Sequence, residues 1–112
     1  MTKMNENELQ LQKIEKQHGI LFVKQIFDID GTHKIAGCEV RSGLVATNDL
    51  VRIKRKNEVV AENIKISLLK RLKENVREVK SGLECGIALD NFFDIQVQDL
   101  IETYVIVTQE IS

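Results

Sequence analysis

The amino-acid sequence predicts a single all-β domain in the form of a small closed barrel. Its 112 residues suffice for one hydrophobic core, and 43% hydrophobic with 29% charged residues is an ordinary composition for a folded chain. From residue 19 onward, short apolar and β-branched runs alternate with turn-forming pairs. Six strands at this spacing predict a closed antiparallel barrel, because closure removes the exposed edges that a small open sheet would present.

The predicted strands follow one another along the chain, separated by turns. The strands are Ile20 to Phe27, Ile35 to Val40, Leu50 to Ile53, Val59 to Ile66, Cys85 to Leu89 and Leu100 to Thr108. The turns are Asp30-Gly31, Ser42-Gly43, Asn48-Asp49, Lys56-Asn57, Ser81-Gly82 and Asp90-Asn91, where Gly, Asn and Asp tolerate positive φ or bond their own backbone. Residues 1–18 are polar and are interpreted as a linker or a frayed helix, so that 19–112 form the barrel.

One segment favours a different structure. Leu68, Leu69, Leu72, Val76 and Val79 recur at intervals of three and four residues. Such spacing would line one face of an amphipathic helix. Local pattern alone therefore predicts a helix there.

Several classes of protein are excluded. No apolar stretch approaches the ~20 residues that cross a bilayer, and the polar start of the chain is not a secretion signal. Cys38 and Cys85 lie far apart in the sequence, without Cys or His at metal-ligand spacing, so the sequence predicts neither a metal site nor a disulfide scaffold. A reducing compartment follows as the simpler expectation.

Enzyme signatures are also missing from the sequence. It contains no phosphate-binding loop, no dinucleotide-binding glycine motif and no nucleophile elbow. The histidines, His18 and His33, have no partner at ligand spacing, and Asp90 and Asp94 are interpreted as solvated loop charges. The chain is therefore predicted not to be an enzyme, with no catalytic residues and no cofactor of its own.

Charge is segregated along the chain although the net charge is only -1. Between Arg52 and Lys80 there are ten Lys or Arg against four Glu, whereas six acidic residues and no Lys or Arg follow from Ser81 onward. A basic block of this kind either follows a phosphate backbone or forms a solvated face. Charge alone leaves both readings open.

A resemblance to a known family extends the prediction. It rests on five strings in their order and spacing: Ile35-Ala36-Gly37-Cys38-Glu39-Val40, Arg52-Ile53-Lys54-Arg55, Ser67-Leu68-Leu69-Lys70-Arg71-Leu72-Lys73-Glu74-Asn75-Val76-Arg77-Glu78-Val79, Gly82-Leu83-Glu84-Cys85-Gly86-Ile87 and Asn91-Phe92-Phe93-Asp94-Ile95. Together these strings resemble the last domain of translation initiation factor two, from about Gly19 to Val107. Residues 4–17 resemble the linker that precedes that domain.

The resemblance implies a fold, a ligand and a site. The fold is a six-stranded barrel similar to the second domain of elongation factor Tu, and the ligand is the formylmethionyl-CCA end of initiator tRNA. The implied binding residues are Gly37, Cys38, Lys70, Arg71, Glu84, Cys85 and Gly86. The implied partners are this tRNA, the ribosome and the rest of the factor, whose upstream domain would bind GTP. We expect a monomer without membrane contact, in a bacterial cytoplasm or a plastid stroma.

The same resemblance resolves the helical segment and shows two departures. It implies a strand from Ser67 to Leu72 and a turn over Lys73 to Asn75, so the local helical period is overridden. Leu72 stands where the family usually has an aromatic residue, and Gln98 stands where a turn glycine is usual.

Plainer interpretations remain open beside these. A cysteine in a strand is often only a small core residue, Glu84 can pair with a neighbouring lysine, and Arg71 can be a solvated charge. At the level of function, the alternative is a barrel that contacts RNA or the ribosome generally, without selecting the formylmethionyl group.

Overall fold

The structure is a computed structural model that describes residues 11–29 and 33–110. Its regular structure there consists entirely of β-strands, which confirms the predicted all-β class. The strands are β1 (Leu11–Asp28), β2 (Lys34–Ala46), β3 (Leu50–Arg55), β4 (Glu58–Arg71), β5 (Glu74–Asn75), β6 (Glu78–Lys80), β7 (Glu84–Leu89) and β8 (Leu100–Glu110). Across these ranges there is no helix long and apolar enough to span a membrane.

Six long strands close a ring. Hydrogen bonding follows the order β1, β8, β3, β4, β7 and β2, and β2 pairs back to β1. All these pairings are antiparallel. The short strands lie outside the ring order, β5 against β4 and β6 against β2. The ring confirms the predicted closure, which leaves few strand edges unpaired.

The core lies inside the ring, because alternate residues of each strand point inward. Buried side chains come from every ring strand; examples are Leu21, Val40, Ile53, Leu69, Ile87 and Ile101. The core also contains one buried tyrosine, whose hydroxyl is hydrogen-bonded to Asn63. The Tyr104 hydroxyl donates to Asn63 Oδ1 at 2.7 Å and accepts from the Asn63 amide at 2.8 Å.

The linker interpretation is wrong for residues 11–18, which belong to β1. They pair with the end of β8 in a regular register from Leu11 opposite Glu110 to Gln17 opposite Tyr104. Arg52 Nη2 also donates to Glu15 Oε1 at 2.7 Å and ties this ribbon to β3. The ribbon of residues 11–18 and the end of β8 is held by backbone hydrogen bonds and has no apolar face to bury. Its sequence therefore lacks the apolar pattern that predicts a strand. Residues 1–10 lie outside the described part of the chain.

The predicted Ser42-Gly43 turn is also wrong, because both residues lie within β2. Gly43 has φ of 66° and lies opposite Gly19 of β1. A Cβ on Gly43 would stand 1.8 Å from the carbonyl oxygen of His18. Glycine is therefore required here by a close backbone approach and a left-handed conformation, not by a chain reversal. The predicted Asp30-Gly31 turn lies outside the described residues.

The segment with the helical period is a strand and a turn, as the resemblance implied. β4 continues to Arg71, and Leu72 and Lys73 then reverse the chain with φ of 53° and 73°. The turn therefore comes one residue earlier than expected. Val79 is buried and Val76 packs against the core, so these apolar residues cover the barrel.

The connection from β7 to β8 is fixed by charge. Arg55 donates to both carboxylate oxygens of the buried Asp99, at 2.8 and 2.9 Å. It also contacts Asp94, whose Oδ2 lies 3.2 Å from Nη1. Asp94 is therefore an exposed loop charge, as interpreted from the sequence, and it also forms an ion pair with Arg55. Gln98 has φ of 76°, the conformation for which the family's glycine is suited.

Candidate nucleic-acid binding groove

All seven residues implied by the family resemblance line one groove on the outside of the ring. The groove has a volume of about 1060 Å³ and lies over β1, β2, β7 and the end of β4. The residues come from three separate stretches of the sequence: Gly37, Cys38, Lys70, Arg71, Glu84, Cys85 and Gly86. Strand pairing brings them together, since β7 lies between β2 and β4.

Two glycines form the floor of the groove. Gly37 lies opposite Gly86, which in turn lies opposite Lys70 of β4. A Cβ on Gly37 would stand 3.2 Å from Phe27 Cε2, and one on Gly86 would stand 3.1 Å from Ile35 Cγ2. Glycine in a strand interior weakens the strand, so the pair marks a place where another group can approach the backbone closely.

The two cysteines lie on the inner side of this floor. Cys38 is directly opposite Cys85, and their exposed fractions are 2% and 6%. Burial raises the pKa of the Cys38 thiol far above its ordinary value and the pKa of the Cys85 thiol to about 11. Both thiols are therefore uncharged at neutral pH and act as small core side chains beneath the floor. Cys38 and Cys85 thus pack as small core residues, which is the plainer interpretation, although both also border the groove.

A basic wall closes the β4 side of the groove. Lys70, Arg71 and Lys73 line it around the β4–β5 turn. Arg71 Nη1 donates to the backbone carbonyl of Glu84 at 3.1 Å, which holds its guanidinium over β7. Leu72, at the tip of the turn, is 80% exposed. This wall can meet phosphate oxygens with charge-assisted hydrogen bonds.

The rest of the basic block does not face the groove. Arg52 contacts Glu15, Glu62 and Glu102, and Arg55 contacts Asp94 and Asp99. These cations hold strands and a loop together. Much of the charge segregation in the sequence is thus structural, and only part of the block is placed to bind a polyanion.

Glu84 is paired across the groove with a residue that the sequence did not single out. Lys24 Nζ of β1 lies 2.9 Å from Glu84 Oε2. The hydrogen bond between them lowers the pKa of the Glu84 carboxyl and raises the pKa of the Lys24 amine. Glu84 thus pairs with a lysine, as the plainer interpretation of this residue expected, and Lys24 neutralises the charge of its carboxylate.

The β1 wall of the groove was missed by the sequence analysis. Its residues are Lys24, Gln25, Phe27 and Ile29. Strict alternation from Leu21 and Val23 would place Phe27 inside the barrel. However, the register of β1 against β2 shifts between Val23 and Gln25, and this irregularity turns Phe27 outward. A bulge of one residue has no clear signal in the sequence.

A second cavity adjoins the groove on the same outer face. Its volume is about 390 Å³, and apolar side chains such as Ile35, Leu68 and Phe93 line it. Ile29 and Lys70 border both spaces. Across residues 11–29 and 33–110, no group of His, Cys, Asp and Glu is arranged to hold a metal ion.

Comparison with known proteins identifies relatives of this chain, although no protein-family model matches it. It is 45% identical over 96 residues to translation initiation factor IF-2 of Orientia tsutsugamushi (strain Boryong), covering 86% of this chain and 11% of that protein. It is 50% identical over 84 residues to the IF-2 of Wigglesworthia glossinidia brevipalpis, covering 75% and 10%. It is 44% identical over 85 residues to the IF-2 of Onion yellows phytoplasma (strain OY-M), covering 76% and 14%.

A solved structure supports the fold. The crystal structure of GDP-bound aIF5B from Aeropyrum pernix matches 80% of this chain and 17% of that one, with a TM-score of 0.62 at 13% identity. The chain spans only about a tenth of the length of its curated relatives. Over most of its length it therefore belongs to the translation initiation factor IF-2 family.

Proposed function

We propose that the groove binds the formylmethionyl-CCA end of initiator tRNA during translation initiation. The observation that carries this proposal is the convergence of the seven expected residues on one groove, although they come from three stretches of the chain. Relatives named as initiation factors support the process, and the geometry of the groove supports the ligand.

The two walls suit different parts of such a ligand. Lys70, Arg71 and Lys73 provide cations for the terminal phosphates. The glycine floor allows the ester and the formamide to approach the backbone at Gly37 and Gly86. A single-stranded RNA terminus carrying a small acyl group fits this groove better than a rigid duplex would, since proteins that read RNA sequence mostly bind single-stranded loops and ends.

Selection of the formyl group follows from the charge of the groove. Formylation removes the positive charge of the α-amino group. In the described groove the carboxylate of Glu84 is already paired with Lys24, so it offers little compensation to an incoming ammonium. An unformylated ester would bring a charge that loses water without gaining a partner. We therefore expect formylated esters to bind at least about tenfold more tightly.

The wider setting is part of the same proposal. The domain would work within a longer factor whose upstream part binds GTP, with the ribosome and the initiator tRNA as partners. It would do so as a monomer in a bacterial cytoplasm or a plastid stroma. The IF-2 relatives are bacterial proteins, which favours the first of these compartments.

A general RNA contact is the second candidate function. The cations of the β4–β5 turn favour it, because Lys70, Arg71 and Lys73 would attract any phosphate backbone. Such binding would be insensitive to the acyl group and would weaken steeply with salt.

Protection of the aminoacyl ester from hydrolysis distinguishes the two functions. Formylmethionyl-tRNA and methionyl-tRNA are incubated with increasing concentrations of this chain at two salt levels, and ester loss is followed. The proposal expects protection of the formylated ester and much less of the other. Equal protection of both would overturn it in favour of general RNA contact, and no protection of either would overturn it as well.

A further inference from the structure

Phe27 is an exposed aromatic residue held against the floor of the groove. Its side chain is 48% exposed, and its Cε2 atom lies 3.2 Å from where a Cβ of Gly37 would stand. Ile29, two residues later, is more exposed still and lines the same groove. Together these two residues make the part of the β1 wall beyond Lys24 apolar.

The position of Phe27 follows from specific features of the fold. The register shift between Val23 and Gln25 turns the ring out of the core, and the absence of a side chain on Gly37 leaves room for it. Leaving about half of a phenylalanine in water gives up hydrophobic stabilisation that an inward-facing ring would provide. Strand irregularities that re-aim a side chain are common beside binding sites.

The two walls are separated by the width of the floor. Phe27 lies on β1 and Lys70 on β4, with β2 and β7 between them. Three interstrand spacings separate these walls by about 14 Å along the curved surface of the ring. The cysteine thiols lie beneath the floor and present little surface to the groove. On the β1 side of the groove, apolar contact for a ligand must therefore come mainly from Phe27 and Ile29, since the exposed Leu72 lies on the basic wall.

We propose that Phe27 and Ile29 form the subsite for the side chain of the bound aminoacyl group, and that this subsite prefers an apolar side chain such as that of methionine. This inference rests on the proposed binding of the formylmethionyl-CCA end. With phosphates at the Lys70 wall, the acyl end of the ligand lies toward β1, where its side chain meets the Phe27 ring. Thioethers and methylene chains both pack well on aromatic rings.

The test compares side chains on an otherwise constant ligand. CCA minihelices are prepared with hydrolysis-resistant amide-linked formylmethionyl, formylnorleucyl, formylglutaminyl and formylglycyl groups, and their Kd values are measured by fluorescence anisotropy. The wild-type chain is compared with Phe27→Ala and, as a matched loss of an exposed aromatic ring, Phe93→Ala. Phe93 is exposed but lines only the neighbouring cavity.

We expect the wild-type chain to bind the methionyl and norleucyl ligands about tenfold more tightly than the glycyl ligand, from partial burial of the side chain. The glutaminyl ligand, of similar length but polar, should bind nearly as weakly as the glycyl one. Phe27→Ala should reduce the methionyl-to-glycyl ratio to about twofold, and Phe93→Ala should leave the ratio unchanged.

Each contrary result has a distinct meaning. A wild-type ratio near one would overturn the side-chain subsite while leaving formyl-dependent binding intact. An equal loss for all four ligands in Phe27→Ala would also overturn it, and would assign the ring to a stacked base instead. Failure of every formylated ligand to bind would overturn the proposed function itself. If Phe27→Ala unfolds, Phe27→Leu, which keeps apolar volume but removes the ring, takes its place in the comparison.

Discussion

Gly37 of β2 lies directly opposite Gly86 of β7, and a side chain at either position would stand within about 3.2 Å of a neighbouring apolar side chain. Because neither residue has a Cβ, the outer face of two adjacent strands is low between an apolar and a basic wall, with the side chains of Phe27 and Ile35 lying against it. This low strip is the feature of the fold that makes a binding groove out of an ordinary barrel surface.

Filling the strip should block the ligand. Gly86→Ala is expected to weaken binding of a formylmethionyl minihelix by about tenfold or more, because the added methyl group occupies the floor. Gly82→Ala is the control: Gly82 has φ of 90° and open space around it, so alanine there costs about 1 kcal/mol of stability without touching the groove. Kd and thermal unfolding are measured for both. Equal loss of binding in the two variants would mean that stability, not the floor, controls affinity.

The buried cysteines should be unreactive in the native chain. With the pKa of Cys85 raised by burial to about 11, only about one thiol in a thousand is ionised at pH 8. Native protein should therefore resist iodoacetamide, and guanidinium should expose both thiols, as measured by mass spectrometry. Rapid native labelling of Cys38 or Cys85 would contradict their placement in the core.

The same burial predicts a dependence of stability on pH. A thiol whose pKa is higher in the folded state favours folding fully below its ordinary pKa of 9.0, and this contribution is lost as the pH rises toward about 11. Urea unfolding between pH 8 and 11 should show a shallower decline for Cys85→Ala than for the wild type. Parallel declines would show that ionisation of Cys85 does not contribute.

The loop between β7 and β8 should depend on Asp99 more than on Asp94. Asp99 is buried, accepts from Arg55 at 2.8 and 2.9 Å and accepts from the Gln96 amide at 2.9 Å. Asp99→Ala is expected to lower the free energy of unfolding by about 3 kcal/mol, since it leaves partly buried donors unpaired. Asp94→Ala, at an exposed carboxylate, should cost much less than Asp99→Ala. Chemical denaturation measures both, and similar losses would refute the distinction.

The β4–β5 turn should tolerate an aromatic residue that improves RNA binding. Leu72 is exposed at the tip of the basic wall and has φ of 53°. Leu72→Tyr adds a stacking surface without changing the core, and stacking on a base contributes about 1 to 3 kcal/mol. We expect binding of the CCA minihelix to tighten about fivefold or more, with Leu72→Ala as the control. Unchanged affinity in Leu72→Tyr would place the RNA away from this turn.

Much of the fold and of the groove could be predicted from the sequence. The apolar runs and turn pairs predicted six strands and their closure, and the resemblance to a known family implied Gly37, Lys70 and Gly86 as residues of the site. Those features depend on residue types at fixed positions, which a sequence displays directly. The override of the helical period between Leu68 and Val79 depended on the resemblance, because local periodicity alone favoured a helix.

The remaining features depend on long-range pairing. Residues 11–18 form a strand because β8 extends far enough to pair with them. Gly43 sits within a strand because β1 passes close to it, and Phe27 faces out because β1 is irregular at Lys24. The Lys24 to Glu84 ion pair joins residues sixty positions apart. None of these contacts leaves a local pattern in the sequence, so the apolar part of the β1 wall, Phe27 and Ile29, was not predicted.

The most direct test of the central claim is an NMR titration of the 15N-labelled chain with a formylmethionyl-CCA minihelix and with its unformylated counterpart. We expect amide shift changes that cluster at Phe27, Gly37, Lys70 and Gly86 and that are much larger for the formylated ligand. Shift changes centred on the opposite side of the ring, around Arg52 and Glu62, would contradict it. So would equal changes for the two ligands.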